Sequence, residues 1–295
     1  GDRCLILSEN RPYWLMADLA VMNAGGISVP IFTTYSSNDY EYILNDCKPS
    51  LVIISNDAQF KKIKKYINLD KQKIISFEEI ETESLLIQDI LNEDNYEKEI
   101  NENLKRNMPA CIIYTSGTSG NPKGVVLTYE TLFNTKRITE DGNPLKVDLS
   151  GKNRFISYMP LNHIFERVVI EHVALRYGGT ISFVESLETF GQNLNDTQPT
   201  TFQGVPRIYT KFQEKILMKM PQEKLDKFLK IPILSWIIKR KLKGALGMSK
   251  AKALVTGAAA MPLELLDWYR SIGIFITNGY GMTENCATCT NLDPY

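Results

Sequence analysis

The chain has 295 residues, of which 43% are hydrophobic and 23% are charged, and its formal net charge is zero. This composition predicts one large or two closely packed globular domains, and the charge balance gives no argument for nucleic acid binding. No apolar run approaches the roughly 20 residues of a membrane span, so no transmembrane segment is expected. Five cysteines, an odd number, indicate free thiols in a reducing compartment, the cytoplasm, and two histidines are too few for a convincing zinc site.

The first 76 residues alternate apolar, β-branched runs with segments of helical spacing. The pattern predicts strands at residues 4–7, 27–31, 51–54 and 73–76, and helices at 12–24, 38–46 and 58–66. Strands that alternate with helices at this rhythm are typical of parallel βαβ units. The chain is therefore predicted to be an α/β protein with a doubly wound sheet.

Two segments carry most of the uneven charge. Residues 78–102 hold ten acids and one lysine, which favours a solvated helix or connector, with a charge-mediated partner site as the alternative. Residues 211–252 hold twelve Lys or Arg and three acids, and include the apolar run 231–238 followed by the cations of 239–243. An apolar, Trp-bearing run beside cations suits a peripheral contact at 231–243 with an anionic membrane. A helical pair with its lysines in water is the alternative.

The stretch from Tyr114 to Gly124 reads YTSGTSGNPKG and has a composition suited to holding phosphate. Its glycines let backbone N–H groups turn toward an anion, and its hydroxyls and Lys123 add donors. A Walker A loop would need Gly-Lys-Ser/Thr leading into a helix, whereas here Lys123 precedes Gly124. The β-branched runs on both sides instead predict a hairpin with a long polar tip, followed by a helix from Thr128 to about residue 140.

Further strands are predicted at residues 154–159, 181–184, 253–256 and 274–277, and four more segments carry recognisable motifs. They read PLNHIFER at 160–167, TFQGVPRIY at 201–209, GAAAMP at 257–262 and NGYGMTE at 278–284. Together with YTSGTSGNPKG, and in this order, they resemble the signature segments of the adenylate-forming superfamily. PLNHIFER is similar to the form found in long-chain fatty acid–CoA ligases, and the resemblance extends from Gly1 to Tyr295.

The resemblance implies the large N-terminal domain of the adenylate-forming fold, built from two packed, doubly wound βαβ-type subdomains. An approximate division is 1–109 for βαβ units and 110–295 for the phosphate loop and the acyl and adenine segments. The superfamily's C-terminal lid domain, hinge and ribose-binding aspartate have no counterpart in this sequence. The chain is thus expected to be a truncated enzyme that adenylates poorly by itself.

The resemblance also implies the reaction and its residues. A fatty acid, ATP and coenzyme A would react with Mg²⁺ present, first to acyl-AMP and then to acyl-CoA. Catalytic roles fall to Lys123, His163, Thr283 and Glu284, and Mg²⁺ ligation falls to Thr115 and Glu284. The acyl site would include His163, Val205, Tyr209 and Gly281. Nucleotide contacts are implied for Thr115, Ser116, Gly117, Thr118, Ser119, Gly120, Lys123, Gly257, Ala258, Ala259, Asn278, Gly279, Tyr280, Gly281, Met282 and Thr283.

Several alternatives stay open at this stage. His163 between apolar residues also fits a hydrogen-bonded core histidine, and GAAAMP also fits a tight packing turn after a strand. An aryl- or amino-acid-adenylating enzyme would share the same loops. A non-catalytic nucleotide- or acyl-binding relative would share them too, and a scaffold acting through the charged segments would bind partners without regard to ATP.

Overall fold

The structure, a computed structural model, describes residues 1–93, 101–116, 120–134, 143, 145–287 and 289–292. Contacts divide the chain into two units, Gly1–Asn134 with Met159–Arg167 and Thr135–Tyr158 with Val168–Tyr295. This division lies at a different place from the approximate one at residue 110. The phosphate-loop hairpin therefore groups with the first unit.

The first unit is organised around a seven-stranded sheet in the order β5-β4-β3-β1-β2-β6-β7. All neighbouring pairs are parallel except the hairpin pair β6–β7. The predicted doubly wound α/β class is confirmed, with the hairpin added at one edge. The strands are β1 Arg3–Leu7, β2 Ile27–Pro30, β3 Leu51–Ile54, β4 Lys73–Ser76, β5 Leu85–Leu86, β6 Pro109–Thr115 and β7 Lys123–Thr128.

Local sequence explains where the helices of this unit begin. Pro12 occupies the first turn of α1, where a missing N–H costs nothing. Ser36 and Asp39 form a reciprocal capping box at the start of α2. The helices are α1 Pro12–Asn23, α2 Ser37–Cys47, α3 Asp57–Ile63 with a 3₁₀ turn Lys64–Tyr66, α4 Ile87–Asn92 and α5 Tyr129–Phe133.

One apolar core of the first unit lies between the central strands and α2. Leu5, Val29 and Val52 are completely buried on neighbouring strands, and Ile43 of α2 packs in the same cluster. Near-continuous apolar runs are expected where a parallel sheet is covered on both faces. The core holds the carboxyl ends of the strands, and the loops after them, in fixed positions.

The second unit contains a four-stranded sheet, β10-β11-β12-β13, and a two-stranded parallel sheet, β8-β9. The first three strands of the larger sheet are parallel, and β13 pairs antiparallel with β12. The strands are β8 Arg154–Ser157, β9 Thr180–Phe183, β10 Thr201–Gly204, β11 Ala253–Thr256, β12 Thr277–Tyr280 and β13 Thr290–Leu292.

The helix α6 has three parts: Ile164–Glu166, the π-helical turn Arg167–His172, and Val173–Tyr177. The division between units falls inside it, between Arg167 and Val168. The remaining helices are α7 Phe190–Thr197, α8 Pro206–Lys219, α9 Gln222–Leu229, α10 Pro232–Ala245 and α11 Leu263–Ser271, with a 3₁₀ turn Thr283–Asn285.

Three sequence predictions differ from the structure or reach beyond it. The last predicted strand, 274–277, was placed too early, because β12 begins at Thr277 and uses residues 278–280 to pair with β13. The helix predicted to reach residue 140 has its N-cap at Thr128 and ends at Phe133, and residues 135–142 lie outside the described part. The acidic segment contains β5 and α4, and its residues 94–100 also lie outside that part.

Two features of the described residues bear on expectations from the sequence. Within the described ranges, no helix combines the length and apolar character needed to cross a membrane. All five cysteines fall within those ranges and are free thiols.

Candidate active site

The phosphate-loop hairpin forms as predicted, with β6 and β7 paired up to the base of its tip. Thr115 lies opposite Lys123 in the antiparallel register, and the Thr115 hydroxyl donates to the Lys123 carbonyl at 3.4 Å. Lys123 and Ser116 are exposed. Thr115 and Lys123 therefore lie side by side where the tip begins. The predicted contacts Gly117, Thr118 and Ser119 lie outside the described residues.

Two tyrosines fix the entrance to this loop. The hydroxyl of Tyr114 donates to Asp46 Oδ2 at 2.5 Å, and the hydroxyl of Tyr35 donates to the Tyr114 carbonyl at 3.0 Å. Burial, and then the bond to Asp46, raise the pKa of Tyr114, while burial raises the pKa of Tyr35 to about 12. Both phenols therefore remain protonated donors at neutral pH, and they hold the end of β6 against α2 and the loop before it.

Gly124 is required by close packing beside Tyr114. A Cβ at Gly124 would come within 2.9 Å of the Ile112 side chain and 3.3 Å of the Tyr114 ring. Glycine thus lets β7 lie flat against the aromatic ring that anchors β6. Gly124 of the motif is therefore needed for the packing of the two hairpin strands.

The segment that carries His163 is held in the first unit by Asn10. The Asn10 amide donates to the Met159 carbonyl at 2.6 Å and accepts from the Leu161 N–H at 3.0 Å. The Nδ2 group of Asn162 is buried and has no hydrogen-bond partner in the part of the chain that the structure describes. The loop before His163 is therefore fixed on one side and keeps a buried donor beside the histidine.

His163 caps the start of α6, where its Nδ1 accepts the Phe165 N–H at 3.3 Å. Burial lowers the pKa of His163 below its ordinary value, because removing water disfavours the imidazolium. A neutral imidazole that accepts through Nδ1 carries its proton on Nε2. The structure thus provides a neutral histidine whose Nε2–H can act as a hydrogen-bond donor.

The end of the same motif is a buried anchor that the sequence did not reveal. Arg167 and Asp18 are both completely buried, and Arg167 Nη2 lies 2.6 and 2.5 Å from the two Asp18 oxygens. Asp18 also accepts from the Ser28 hydroxyl, and Arg167 Nη1 lies 2.6 Å from the Cys111 sulfur. Asp18 is the one charged residue of the otherwise apolar helix α1, and a buried carboxylate needs a positively charged partner. That isolated charge was the signal in the sequence that could have indicated the pair.

In the second unit, three parallel strands bring the remaining motifs to one sheet edge. Gly204, Thr256 and Asn278 lie in register across β10, β11 and β12. The loops that follow the carboxyl ends of such strands are the usual place for ligands in open α/β sheets. Val205, which begins one of these loops, is half-buried. The Val-Pro, Gly-Ala-Ala and Gly-Tyr-Gly segments therefore start at neighbouring positions.

Tyr209 does not lie at this edge. It is completely buried, its hydroxyl donates to the Val255 carbonyl at 2.9 Å, and its carbonyl accepts from the Tyr269 hydroxyl at 2.6 Å. Its ring contacts Phe202 edge-on in the core. The structure gives Tyr209 a core role, and its assignment to the acyl-binding wall stays a prediction.

The predicted adenine segment has an unusual backbone. Gly257 is buried, whereas Ala258 and Ala259 are exposed, and Ala258 has a positive φ of 64°. A left-handed alanine is uncommon, and such strain clusters at functional sites. The hydroxyl of Thr256, just before this turn, is buried without a hydrogen-bond partner among the described residues. Small, exposed side chains on a fixed turn leave room for a flat ring to approach.

The Gly-Tyr-Gly-Met-Thr-Glu segment continues from β12 into a 3₁₀ turn. Tyr280 is 62% exposed and Glu284 is exposed, while Thr283 is buried. A Cβ at Gly281 would lie 2.3–2.5 Å from backbone atoms of Ala287, so only glycine fits there. The segment thus offers an exposed aromatic face and an exposed carboxylate on a tightly packed turn.

The predicted residues gather in two groups. The first unit holds Thr115, Ser116, Gly120, Lys123 and His163, and the second unit holds the residues from the three strand ends. Sequence reasoning missed the side chains that position them, among them Tyr35, Asp46 and Asn10. These lie far along the chain from the motifs they support, so no local pattern marks them.

The family model of AMP-binding enzymes matches residues 1–295, and the chain therefore belongs to the AMP-binding enzyme family. Among curated proteins, the chain is 27% identical to the long-chain-fatty-acid–CoA ligase ACSBG2 of Xenopus laevis, over 95% of this chain and 43% of that protein. It is 28% identical to fatty acyl-CoA synthetase A of Dictyostelium discoideum, over 97% of this chain and 46% of that protein. The chain spans less than half the length of these relatives.

Solved structures of adenylating enzymes share the fold. The N-terminal domain of FACL13 from Mycobacterium tuberculosis superimposes with a TM-score of 0.74 at 21% identity, covering 99% of this chain and 65% of that one. The O-succinylbenzoate–CoA synthetase of Bacillus subtilis, solved in complex with AMP, gives 0.70 at 21% identity, covering 100% and 52%. At these identities the likeness concerns the fold, which is that of the N-terminal part of adenylate-forming enzymes.

Proposed function

We propose that the protein containing this chain activates a long-chain fatty acid with ATP to acyl-AMP and transfers the acyl group to coenzyme A. The observation that carries the proposal is the match to relatives named long-chain-fatty-acid–CoA ligases along 95–98% of the chain. The phosphate-loop hairpin and the three strand-end loops agree with it. The proposed setting is the cytoplasm, because free cysteines fit a reducing compartment, with a peripheral membrane contact at residues 231–243.

The proposed chemistry has two displacement steps. A carboxylate oxygen of the fatty acid attacks the α-phosphorus of ATP, and the bond from that phosphorus to pyrophosphate breaks. The thiol of coenzyme A then loses its proton and attacks the acyl carbon, and AMP leaves with the bonding electron pair. The first step brings two anions together, so the site must supply positive charge and fixed geometry.

The chain's own residues supply these needs in the proposal. Lys123 and the hydroxyls of the hairpin tip hold the β- and γ-phosphates and stabilise departing pyrophosphate. Tyr280 stacks on adenine beside the Gly257–Ala259 turn, and Thr283 contacts the α-phosphate. The acyl carboxylate lies near His163, whose neutral ring donates from Nε2 without adding a charge, and the acyl chain extends past Val205 and Gly281.

Magnesium is implied by the family, and the donors present fit it. Glu284 offers an exposed carboxylate and Thr115 a hydroxyl oxygen at the loop entrance, which are the hard oxygen ligands that Mg²⁺ prefers. No cluster of three or more His, Cys, Asp or Glu suited to a metal occurs among the described residues, so most ligands would be phosphate oxygens and water. The bound ion would neutralise phosphate charge as the transition state forms.

Pyrophosphate exchange by the full-length protein tests this proposal. A panel of fatty, aryl and amino acids should show exchange that depends on a long-chain fatty acid. Preference for an aryl or amino acid would replace the substrate assignment, and no exchange with any acid would favour a non-catalytic nucleotide- or acyl-binding relative. Partner binding that is insensitive to ATP would favour a scaffold.

A matched pair of variants tests the role of the carboxylate. Glu284→Gln should lower acyl-adenylate formation by orders of magnitude, because the amide cannot neutralise a cation. Glu264→Gln, also exposed and in the same unit, serves as the control and should keep full exchange. Full exchange by Glu284→Gln would refute the metal role.

A further inference from the structure

Helix α10 presents an apolar outer face that the core of its unit does not use. Leu234, Ile238 and Leu242 follow one another at intervals of four and pack on the hydrophobic core of the second unit. Residues at this spacing lie on one side of a helix, so Ile233 and Trp236 face the other side. Pro232 occupies the first turn of the helix rather than breaking it.

The side chains on this outer face are exposed to an unusual degree. Ile233 is 76% exposed, Trp236 is 62% exposed, and Ile231 just before the helix is 53% exposed. Single exposed apolar residues are ordinary, but adjacent large ones mark an interaction surface. Fractions this high mean that the side chains project outward instead of lining a groove. A flat or deformable apolar partner suits them better than an inserted peptide.

Cations accompany this apolar turn. The Arg240 guanidinium carbon lies 5.6 Å from the centre of the Trp236 ring, and Lys241 is exposed on the next position. Residues 231–243 hold four Lys or Arg and no acid, a formal charge of +4. The partner must therefore carry negative charge next to apolar material. That combination describes an anionic lipid surface.

We propose that Ile231, Ile233 and Trp236, with Arg240 and Lys241, form a docking surface for an anionic lipid bilayer. The apolar turn enters the boundary between headgroups and acyl chains, where a Trp ring is favoured, and the cations contact the headgroups. This inference stands on the surface alone and does not depend on the proposed reaction. It fits that reaction because long-chain fatty acids partition into the same bilayer.

Vesicle co-sedimentation of the complete chain tests the docking surface. Vesicles of phosphatidylcholine alone are compared with vesicles in which about 30% of the lipid is phosphatidylserine. The anionic vesicles should bind the protein at least about fivefold more tightly, and added salt should weaken that binding. Trp236 emission should shift to shorter wavelength on binding, a shift that Trp236→Phe should lack.

Variants on the exposed face should leave the fold intact, because these side chains contact solvent. Trp236→Ala combined with Ile233→Ser should weaken vesicle binding about tenfold or more. Arg240→Gln and Lys241→Gln should each weaken it about fivefold, and only on anionic vesicles. The control is Leu263→Ser, which changes an apolar residue that is 71% exposed in the same unit.

Several results would overturn the inference. These are absence of binding to anionic vesicles at low salt, equal binding to neutral vesicles, and an equal loss of binding in the Leu263→Ser control. Sedimentation velocity adds one more. A dimer that forms without lipid and is abolished by Trp236→Ala would make this face a contact between copies of the chain.

Discussion

Removing the carboxylate of Asp18 should be among the most destabilising single changes in the first unit. Asp18 and Arg167 are both completely buried, so solvent does not screen their attraction. Alanine at position 18 would remove the carboxylate that pairs with the buried Arg167 guanidinium and accepts from the Ser28 hydroxyl. Breaking a buried pair in this way costs about 3–5 kcal/mol of unfolding free energy.

Urea unfolding followed by Trp14 fluorescence measures this loss in the correct unit. Trp14 is 1% exposed, and its ring centre lies 5.8 Å from the Arg167 guanidinium carbon. The chain has three tryptophans, so Trp236→Phe and Trp268→Phe leave Trp14 as the sole indole. The emission of Trp14 then reports on the first unit by itself.

A double variant separates the charge effect from packing. Asp18→Leu with Arg167→Met replaces the pair by apolar side chains, and it should recover most of the stability that Asp18→Ala loses. Lys61→Ala, which removes the surface Lys61–Asp57 pair of the same unit, should cost less than about 1 kcal/mol. The reasoning fails if Asp18→Ala costs no more than this control, or if the double variant is no more stable than Asp18→Ala.

Three further predictions follow from the site. Gly281→Ala should lower the free energy of unfolding of the second unit by about 1–3 kcal/mol and abolish nucleotide binding, because a Cβ there meets backbone atoms. Gly191→Ala is the control, because the space around Gly191 is open, and it should be neutral or stabilising. Urea unfolding and nucleotide titration measure these effects. Tyr35→Phe removes a hydrogen bond to the phosphate-loop entrance and should lower pyrophosphate exchange by the full-length protein about 3- to 10-fold. Tyr40→Phe is the control, because the Tyr40 hydroxyl bonds a different carbonyl, and it should leave exchange unchanged. Equal losses in the two variants would contradict the positioning role of Tyr35. Burial lowers the pKa of His163, so as pH falls the unfolded state binds a proton at His163 before the folded state does. The free energy of unfolding should therefore fall as pH drops below about 6.5 and level off below the pKa of the folded state. His163→Gln should flatten this pH dependence in urea unfolding, and an unchanged dependence would refute the assignment.

The sequence predicted the strands and helices of the first unit well for a physical reason. Apolar runs of four or five residues alternate there with capped helices, so periodicity and turn chemistry agree. The hairpin that carries the phosphate loop was predicted for the same reason, since β-branched runs flank a polar, glycine-rich tip. Local signals suffice where each element is specified by its own residues.

Other features depend on distant partners and could not be predicted locally. β12 extends to Tyr280 because it pairs antiparallel with β13, although Gly279 and Tyr280 lack a strand pattern. The hydroxyl of Tyr209 has its backbone partner on β11, 46 residues along the chain, so no local pattern indicates this contact. The residues that position the site are polar side chains whose role depends on the tertiary fold.

The first unit consists of two separate segments of the chain, and this affects how it folds during synthesis. Its last nine residues, Met159–Arg167, are made after Asn134, the last of them 167 − 134 = 33 residues later, and Arg167 meets Asp18 across a separation of 149 residues. At about 5–20 residues per second, a ribosome needs roughly 2–7 s to supply that interval. Until then, the Asp18 carboxylate lacks the guanidinium that it pairs with in the folded first unit, so burying it costs more free energy. The first unit therefore becomes complete only after residues 135–158, which group with the second unit, have been synthesised.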